Sequence, residues 1–440
     1  MASAFFIILL VLVAVPLTMT IKQPARIFEY PFFMAFAFAA FIVPQAFSLI
    51  RFPGFVEEKS VTAIVLMSCF CLTACFLGYQ LAPSALMQRW ASRSIDMGRL
   101  LRVGILFIAL GYAMINAMST TEVQYAENGG MTGRGTLLLF FQQLVYPGFA
   151  IALFCALRRP SFINIAVSLI GLYPPLKDTI IGRRENTAIL VLTIVMAFFY
   201  ERRAQPPRLA IVGALVFSLL AIPATTEYRG YANDGNWADV RRMDLVGTFK
   251  VFLFEESVLE LRNGAAVIES TRQTGNYQFG KGYWNQLVFR FVPAQLIGTD
   301  LKRSLMFDVD AAKYSGTATG IQFQNGTTIT GMGDTFLQFG WFGCLFFAFM
   351  AVLFKGMWQA SLLPNALFAR LMYVMTFTSG MRAVTHWTAD FLPGLAYFAI
   401  FLGIAGFYAA APHQRLSTAK GRLPQLDLKL IRARSGGKWH

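Results

Sequence analysis

The sequence is poor in charged residues and lacks the short motifs of nucleotide-dependent and metal-dependent enzymes. Of its 440 residues, 14% are charged and 56% are hydrophobic, whereas soluble domains carry about 25% charged residues. P-loops, GxGxxG motifs and metal-binding signatures are absent, as are internal repeats and low-complexity stretches. The low content of charged residues excludes an ordinary soluble domain. Because the motifs are absent, we expect no cofactor and no metal site.

Cysteine is also scarce. The five cysteines lie inside apolar runs and have no partner histidine or cysteine placed for a metal cluster. They do not form a disulfide framework, and we interpret them as small apolar residues that fill space between helices. Their positions are Cys69, Cys71, Cys75, Cys155 and Cys344.

Long apolar runs, in contrast, recur as far as residue 411. Several approach the roughly 20 residues that a helix needs to cross a bilayer. The first run lacks a basic preceding region and is therefore interpreted as a helix, not as a cleaved signal. Because backbone groups must be paired in lipid, the sequence predicts an all-α polytopic membrane protein, a helical bundle with about eleven transmembrane helices. The predicted spans are 2–20, 30–50, 61–81, 100–118, 136–157, 161–177, 185–200, 208–224, 334–354, 366–381 and 390–411.

The charge of the connections alternates along the chain. Basic residues dominate the odd-numbered connections, whereas the second and fourth are balanced or acidic. Since basic connections stay in the cytoplasm, the N-terminus is predicted to be periplasmic and the C-terminus cytoplasmic. Most of the net charge of +15 lies in these connections and in the tail, so we expect contact with the lipid bilayer and no nucleic acid.

Four regions follow from this pattern: an N-terminal transmembrane bundle of about eight helices (1–224), a large periplasmic loop subdomain (225–333), about three C-terminal transmembrane helices (334–411) and a basic cytoplasmic tail (412–440). The loop holds eleven acidic and eleven basic residues. Connections of this length are usually functional.

Five arginines lie at outward-facing or boundary positions, contrary to the positive-inside trend. Arginine is suited to bidentate recognition of phosphate oxygens. Without a dense carboxylate cluster beside them, they indicate an anionic, lipid-borne substrate that is handled without an obligatory divalent metal. They are Arg183, Arg184, Arg229, Arg290 and Arg382.

Residues 251–271 have helical apolar spacing, which places Glu256 and Glu260 on one face. The segment is either a helix that lies on the membrane with a solvated acidic face or a helix that presents a general base to a sugar hydroxyl. The sequence leaves both interpretations open.

The segment "GNYQFGKGYWNQLVFRFVPAQ" (275–295) concentrates Tyr277, Phe279, Tyr283 and Trp284 among amides and glycines. Aromatic residues of this kind occur at membrane interfaces. Their flat faces also suit pyranose rings, with amides nearby for the hydroxyls. The sequence alone does not separate these interpretations.

Two segments provide candidate bases. In "GMGDTFLQFGWFGCLFF" (331–347), Asp334 is expected at a helix N-terminus, after two glycines that let the backbone approach a ligand, and it is either a cap or a base. In "GMRAVTHWTADF" (380–391), Arg382, His386 and Asp390 are spaced to share one helix face. His386 is either a base or part of a satisfied polar pair.

The order of these features resembles the Wzy-type oligosaccharide repeat-unit polymerases, which are relatives of the O-antigen ligases. The resemblance lies in "GRREN" (182–186), "EYRG" (227–230), "FRFVPA" (289–294) and "GMGDTFLQFGWFG" (331–343). That family tends to have a glutamate where this chain has Asp334. The resemblance implies a glycosyltransferase with a GT-C-like helical bundle in the bacterial inner membrane. Its substrate would be undecaprenyl-pyrophosphate-linked oligosaccharide, and a chain-length-regulating copolymerase would be a possible partner.

The resemblance also implies roles for individual residues. An acceptor hydroxyl attacks the anomeric carbon of the donor, and the lipid pyrophosphate leaves. Arginines that face the developing negative charge would be catalytic. The catalytic candidates are His386, Asp334, Arg184 and Arg290, and the candidates for substrate binding are Arg183, Arg229, Arg382, Tyr283 and Trp284. An O-antigen ligase and a lipid-linked oligosaccharide flippase are the alternative functions.

The predicted topology can be tested by cysteine accessibility. We expect a cysteine at Ser315 to react with an impermeant maleimide from the periplasm, and a cysteine at Ser417 to react only after the membrane is permeabilised. The parent protein, whose five cysteines all lie in predicted spans, gives the background. Labelling of both positions from one side would contradict the eleven-span topology.

Overall fold

The structure, a computed structural model, describes residues 1–83, 95–122, 124–125, 131–309, 316–324, 327–364 and 366–410. Ser315 and the tail 412–440 lie outside this range. The regular structure is almost entirely helical, with one antiparallel pair of two-residue strands, Gln124–Tyr125 and Met131–Thr132. Up to residue 233, the helices of the described residues are a 3₁₀ segment, Pro24–Phe28, and α1 (Ala2–Lys22), α2 (Tyr30–Arg51), α3 (Glu58–Leu81), α4 (Met97–Ser119), α5 (Arg134–Arg158), α6 (Phe162–Ile180), α7 (Arg184–Arg202) and α8 (Arg208–Asn233).

In the described part of the connection after α8, six shorter helices follow: α9 (Trp237–Val240), α10 (Leu245–Phe254), α11 (Glu260–Thr274), α12 (Lys281–Phe291), α13 (Ala294–Ile297) and α14 (Thr299–Ser304). The remaining helices are α15 (Thr330–Phe339), α16 (Leu345–Ser361), α17 (Leu367–Thr385) and α18 (Phe391–Ala409). A 3₁₀ segment, Gly340–Cys344, joins α15 to α16, and a 3₁₀ turn, Thr388–Asp390, precedes α18.

Within the described residues, eight helical segments are long and apolar enough to cross a membrane. This confirms an all-α polytopic membrane protein. The three other predicted spans coincide with α6, α7 and α17, which have 19 residues each and are not among those eight. The count of eleven spans therefore stays a prediction.

One group of buried charges in these helices is paired. The Glu201 carboxylate on α7 lies 2.8 Å from Arg158 Nε and 2.9 Å from an Arg370 guanidinium nitrogen. Arg370 also donates to the carbonyls of Ser361 and Leu363. Because an unpaired buried charge is strongly destabilising, this cluster holds the ends of α5, α7 and α17 together.

The long connection after α8 differs from its predicted local structure. Helix α8 continues to Asn233, so no helix ends at the expected boundary, residue 224. The single helix expected over 251–271 is wrong: α10 and α11 are separate helices, with an irregular stretch between them. Gln45 Oε1 accepts a hydrogen bond from the backbone N–H of Leu261 at 2.8 Å, so another helix caps the start of α11.

Helix α11 is also not a surface helix. Ten of its fifteen residues are buried, and it packs against α3 and α15. The expectation that this segment lies on the membrane surface is therefore wrong for α11. Although α11 belongs to the long connection, it is packed inside the helical bundle.

The two glycines before Asp334 permit close packing of helices. A Cβ atom on Gly331 would lie 1.8 Å from the Ala383 carbonyl oxygen of α17, and one on Gly333 would lie 2.7 Å from the Gly264 Cα of α11. The expectation that these glycines approach a ligand is wrong, since they approach the neighbouring backbones. They position α15 between α11 and α17.

We expect Gly331→Ala to destabilise the protein by about 1–3 kcal/mol, because the methyl group overlaps backbone atoms that belong to another helix. Thermal unfolding in detergent would measure this. The matched control is Gly403→Ala, since a Cβ at this glycine within α18 meets nothing within 4 Å and should be neutral or slightly stabilising. Equal unfolding temperatures for the two variants would contradict the packing described here.

Candidate functional site

A cavity of about 870 Å³ lies where the turn between α6 and α7 meets the end of α8, the start of α11 and the end of α17. We call it the arginine cavity. The helix ends that meet here are those that the charge pattern assigns to one side of the membrane. Six of the nine predicted catalytic and substrate-binding residues line it: Arg183, Arg184, Arg229, Arg290, Arg382 and His386. Glu260, on the helix that was considered as the carrier of a general base, lines it as well.

The cavity carries an excess of positive charge. Among the described residues, three carboxylates line it together with the five arginines, and a fourth, Asp390, pairs with Arg382, which leaves one net positive charge because arginine stays protonated. Each carboxylate lies near one arginine: Asp178 is 3.4 Å from Arg183, Glu185 is 3.1 Å from Arg382, and Glu260 is 3.8 Å from Arg184. Burial raises the pKa of Glu260, and Arg184 opposes this effect.

Arg229 and Arg290 have no carboxylate partner within 4.0 Å in the part of the chain that the structure describes. Arg229 Nε donates to the carbonyl of Gly182 at 2.8 Å. Arg290 donates to the Gln143 side chain and lies over the Tyr397 ring, 5.3 Å from its centroid. Burial, reinforced by nearby Arg382, lowers the pKa of Arg290. These contacts orient both guanidinium groups and leave their charge available to an anion.

Arg382 is the most fully paired of the five arginines. Its two terminal nitrogens lie 3.1 Å from Glu185 and 2.7 Å from Asp390, and Asp390 also accepts from Gln286 at 2.7 Å. The side chain thus joins α7, α17 and the turn before α18. Because both terminal nitrogens are paired with carboxylates, we interpret Arg382 as a residue that holds the cavity wall in place, not as a residue that binds a ligand.

His386 lies just after the end of α17 and is neutral at physiological pH. Burial, together with the positive charge of Arg382, lowers its pKa to about 4. Its Nδ1 lies 2.8 Å from Thr385 Oγ1, which donates its own hydrogen to the Met381 carbonyl. We therefore assign Nδ1 as the donor, which leaves the Nε2 lone pair as a possible proton acceptor.

The expected helical face of Arg382, His386 and Asp390 is wrong. Helix α17 ends at Thr385, and His386 has φ −123° and ψ −92°. Asp390 approaches Arg382 because the chain turns back in the 3₁₀ segment Thr388–Asp390. The hydrogen-bond partner of His386 is consequently Thr385 and not Asp390.

Asp334 and Tyr283 do not line the arginine cavity. Asp334 lies inside α15, not at its N-terminus, and has no exposed surface. Its carboxylate accepts hydrogen bonds from Thr388 Oγ1 at 2.6 Å and from the Ala389 N–H at 2.9 Å. Tyr283 shares a hydrogen bond of 3.0 Å with Thr388. Both residues therefore fix the turn that follows His386.

Trp284, the remaining predicted substrate-binding residue, also lies outside the cavity. Its side chain is 48% exposed, and its indole N–H donates to the Leu305 carbonyl at 2.8 Å. The neighbouring aromatic residue Phe279 is 71% exposed. These two residues lie on the surface of the bundle.

Several residues of the cavity were not predicted from the sequence. Asp178 and Glu185 flank the arginine pair in "KDTIIGRREN" (177–186), and this proximity in sequence could have predicted that they lie in the same site. Asp178 accepts hydrogen bonds from Tyr146 at 2.8 Å and from Asn186 at 2.6 Å. Tyr146 had no such signal, since it lies within an apolar run.

Part of the cavity wall is apolar. Besides the charged residues, hydrophobic side chains from five helices face the same space. The cavity therefore combines cationic and apolar surfaces, as an amphiphilic ligand requires. These side chains include Leu139, Ile189, Ile222, Phe252 and Phe398.

We expect Arg290→Gln to weaken the binding of inorganic pyrophosphate at least tenfold without lowering the unfolding temperature, because a charge-assisted hydrogen bond is removed and no carboxylate is left unpaired. Arg382→Gln should instead lower the unfolding temperature, since it leaves Glu185 and Asp390 without their cation. Calorimetric titration and thermal unfolding in detergent measure the two effects.

The control for this pair is Arg159→Gln, an exposed arginine outside the cavity, which should change neither quantity. Pyrophosphate binding that is as strong in Arg290→Gln as in the unmodified protein would contradict the anion site.

No family model matches this chain, and neither the curated proteins nor the solved structures give a significant match. The resemblance of the short motifs therefore stands on those residues alone. The geometry of the arginine cavity must support the functional conclusion.

Proposed function

We propose that this protein is a membrane-embedded glycosyltransferase of the repeat-unit polymerase type. It joins undecaprenyl-pyrophosphate-linked oligosaccharides into a bacterial surface polysaccharide. The observation that carries this proposal is the arginine cavity, in which carboxylate-free arginines, a neutral histidine and an apolar wall face one space. Such a site suits an amphiphile with a compact anionic group and a reacting hydroxyl nearby.

The charge of the cavity favours a pyrophosphate. Two arginines that line the cavity, Arg229 and Arg290, have no carboxylate partner among the described residues, and their planar guanidinium groups match phosphate oxygens in pairs. Arg184, at 3.8 Å from Glu260, is loosely enough paired to turn toward a bound phosphate. Within a partly buried cavity these interactions are stronger than in water.

The apolar wall favours a substrate anchored in lipid. Helix α8, which contributes Ile222, exposes hydrophobic side chains in its first half, between Leu209 and Phe217, as a helix in contact with acyl chains does. A polyprenyl chain could follow this surface into the bilayer while its pyrophosphate occupies the arginine cavity. A free sugar phosphate would leave the apolar wall unused.

The residues of the cavity support a single displacement. The acceptor oxygen forms a bond to the anomeric carbon of the donor, and the bond from that carbon to the pyrophosphate oxygen breaks. His386 Nε2 takes the proton of the acceptor hydroxyl and later releases it to solvent. Arg229 and Arg290 stabilise the negative charge that develops on the leaving pyrophosphate, while Arg382 keeps the turn that carries His386 in position.

Several finer features belong to this proposal. The chain crosses the bacterial inner membrane eleven times, with a periplasmic N-terminus and a cytoplasmic C-terminus. The connection 225–333 and the arginine cavity face the periplasm, where lipid-linked repeat units are joined. The bundle is GT-C-like, and a copolymerase that regulates chain length is a partner.

The decisive experiment uses purified protein in liposomes, supplied only with its cognate undecaprenyl-pyrophosphate repeat unit. We expect a ladder of lipid-linked oligomers and the release of undecaprenyl pyrophosphate. His386→Gln should slow formation of the ladder by a factor of about 10²–10⁴ while pyrophosphate binding persists. Gel analysis of the glycan and chromatography of the lipid product provide the measurement.

Each alternative function gives a different result in this assay. A ligase would form product only after lipid A core is added, and a flippase would move the substrate without breaking a bond. Full activity of His386→Gln would contradict the assignment of His386 as the base, and the absence of any ladder would contradict the polymerase.

A further inference from the structure

A second pocket, of about 240 Å³, lies at the other end of α11 from the arginine cavity. We call it the distal pocket. Its volume is below the roughly 300–1,000 Å³ of sites for drug-sized ligands, so its ligand is a smaller unit. The polar lining includes Ser270, Thr274, Asn276, Tyr277, Lys281 and Asp308.

The chemistry of the distal pocket differs from that of the arginine cavity. Lys281 and Asp308 contribute one charge of each sign, so these side chains add no net charge, and the other polar side chains of the described lining are hydroxyls and amides. Hydroxyl and amide side chains both donate and accept hydrogen bonds. This set favours a neutral ligand with many hydroxyl groups over an anion.

Among the described residues, one aromatic ring forms part of this pocket. Tyr277 packs beside Phe336, with 6.2 Å between ring centroids, and a Cβ atom on Gly340 would lie 3.2 Å from its ring. The structure thus divides the aromatic cluster of residues 275–295. Phe279 and Trp284 are exposed on the surface, whereas Tyr277 lies among polar groups, where an aromatic ring provides an apolar face for a sugar.

Two elements connect the distal pocket to the arginine cavity. Helix α11 begins at Glu260 in the cavity and ends at Thr274 in the distal pocket, about 20 Å away at 1.5 Å per residue. The segment after α14 also contributes to both, through Thr317 in the distal pocket and Gln324 in the cavity. This separation is comparable to the length of a short oligosaccharide.

We propose that the distal pocket binds a neutral sugar ring of the oligosaccharide whose pyrophosphate occupies the arginine cavity. This inference rests on the proposed function, and it assigns the glycan a site of its own. The lipid then contacts the apolar wall, the pyrophosphate contacts the arginines, and a sugar several units away contacts Tyr277. The bound sugar would orient the oligosaccharide relative to His386.

The test uses the repeat-unit oligosaccharide released from its pyrophosphate by mild acid, titrated against the full chain in nanodiscs. Tyr277→Ala should weaken its binding about tenfold because the apolar ring is lost, whereas Tyr277→Phe should retain most of the affinity. Inorganic pyrophosphate should bind both variants as it binds the unmodified protein. Saturation-transfer NMR and calorimetry report the two ligands separately.

Tyr173→Ala is the matched control, since Tyr173 is 59% exposed on α6 and lies outside both pockets. Equal oligosaccharide affinity in Tyr277→Ala and Tyr173→Ala would overturn the distal pocket assignment. Competition by glycerophosphoethanolamine, but not by a second oligosaccharide, would assign the pocket to a lipid headgroup and overturn it as well. An unmodified protein that forms no ladder counts against the proposed function instead, which keeps the two failures distinct.

Discussion

Ionised side chains inside a helical bundle need a partner of opposite charge, and this requirement organises the described structure. Glu201 is the partner of Arg158 and Arg370, and Glu185 and Asp390 are the partners of Arg382. Because removal of one partner leaves an uncompensated charge, these pairs hold helices from distant parts of the chain in register. Where pairing is incomplete, at Arg229 and Arg290, the bundle has charge left for a ligand.

Residues outside the arginine cavity determine much of its shape. Gly331 lets α15 approach the end of α17, and Asp334 on α15 holds the turn at Thr388 and Ala389. His386 lies between the helix end and that turn, so its position depends on both contacts. The motif that includes Asp334 therefore contributes to the cavity without facing it, through backbone proximity and two hydrogen bonds.

The fold class could be predicted because apolar runs and paired backbone groups leave few alternatives in lipid. The arginines of the cavity could be found because they oppose the predicted charge pattern of the connections. The positions at which helices break were harder to predict, since there is no proline or glycine at His386 or in the stretch just before Glu260. These breaks are fixed by hydrogen bonds from other helices, such as the Gln45 cap on Leu261, which a local pattern does not contain. The number of spans, the orientation and the family relationship stay predictions.

Helix α11 is buried along most of its length and lies against the Ile329 carbonyl at Gly264. It therefore acts as a rigid spacer between the arginine cavity and the distal pocket, with a separation that does not vary as a flexible loop would allow. A ligand that occupies both pockets must match this fixed length. Under the proposed function, helix α11 sets the distance between the two pockets, so that a glycan is selected by its length as well as by the identity of its sugars.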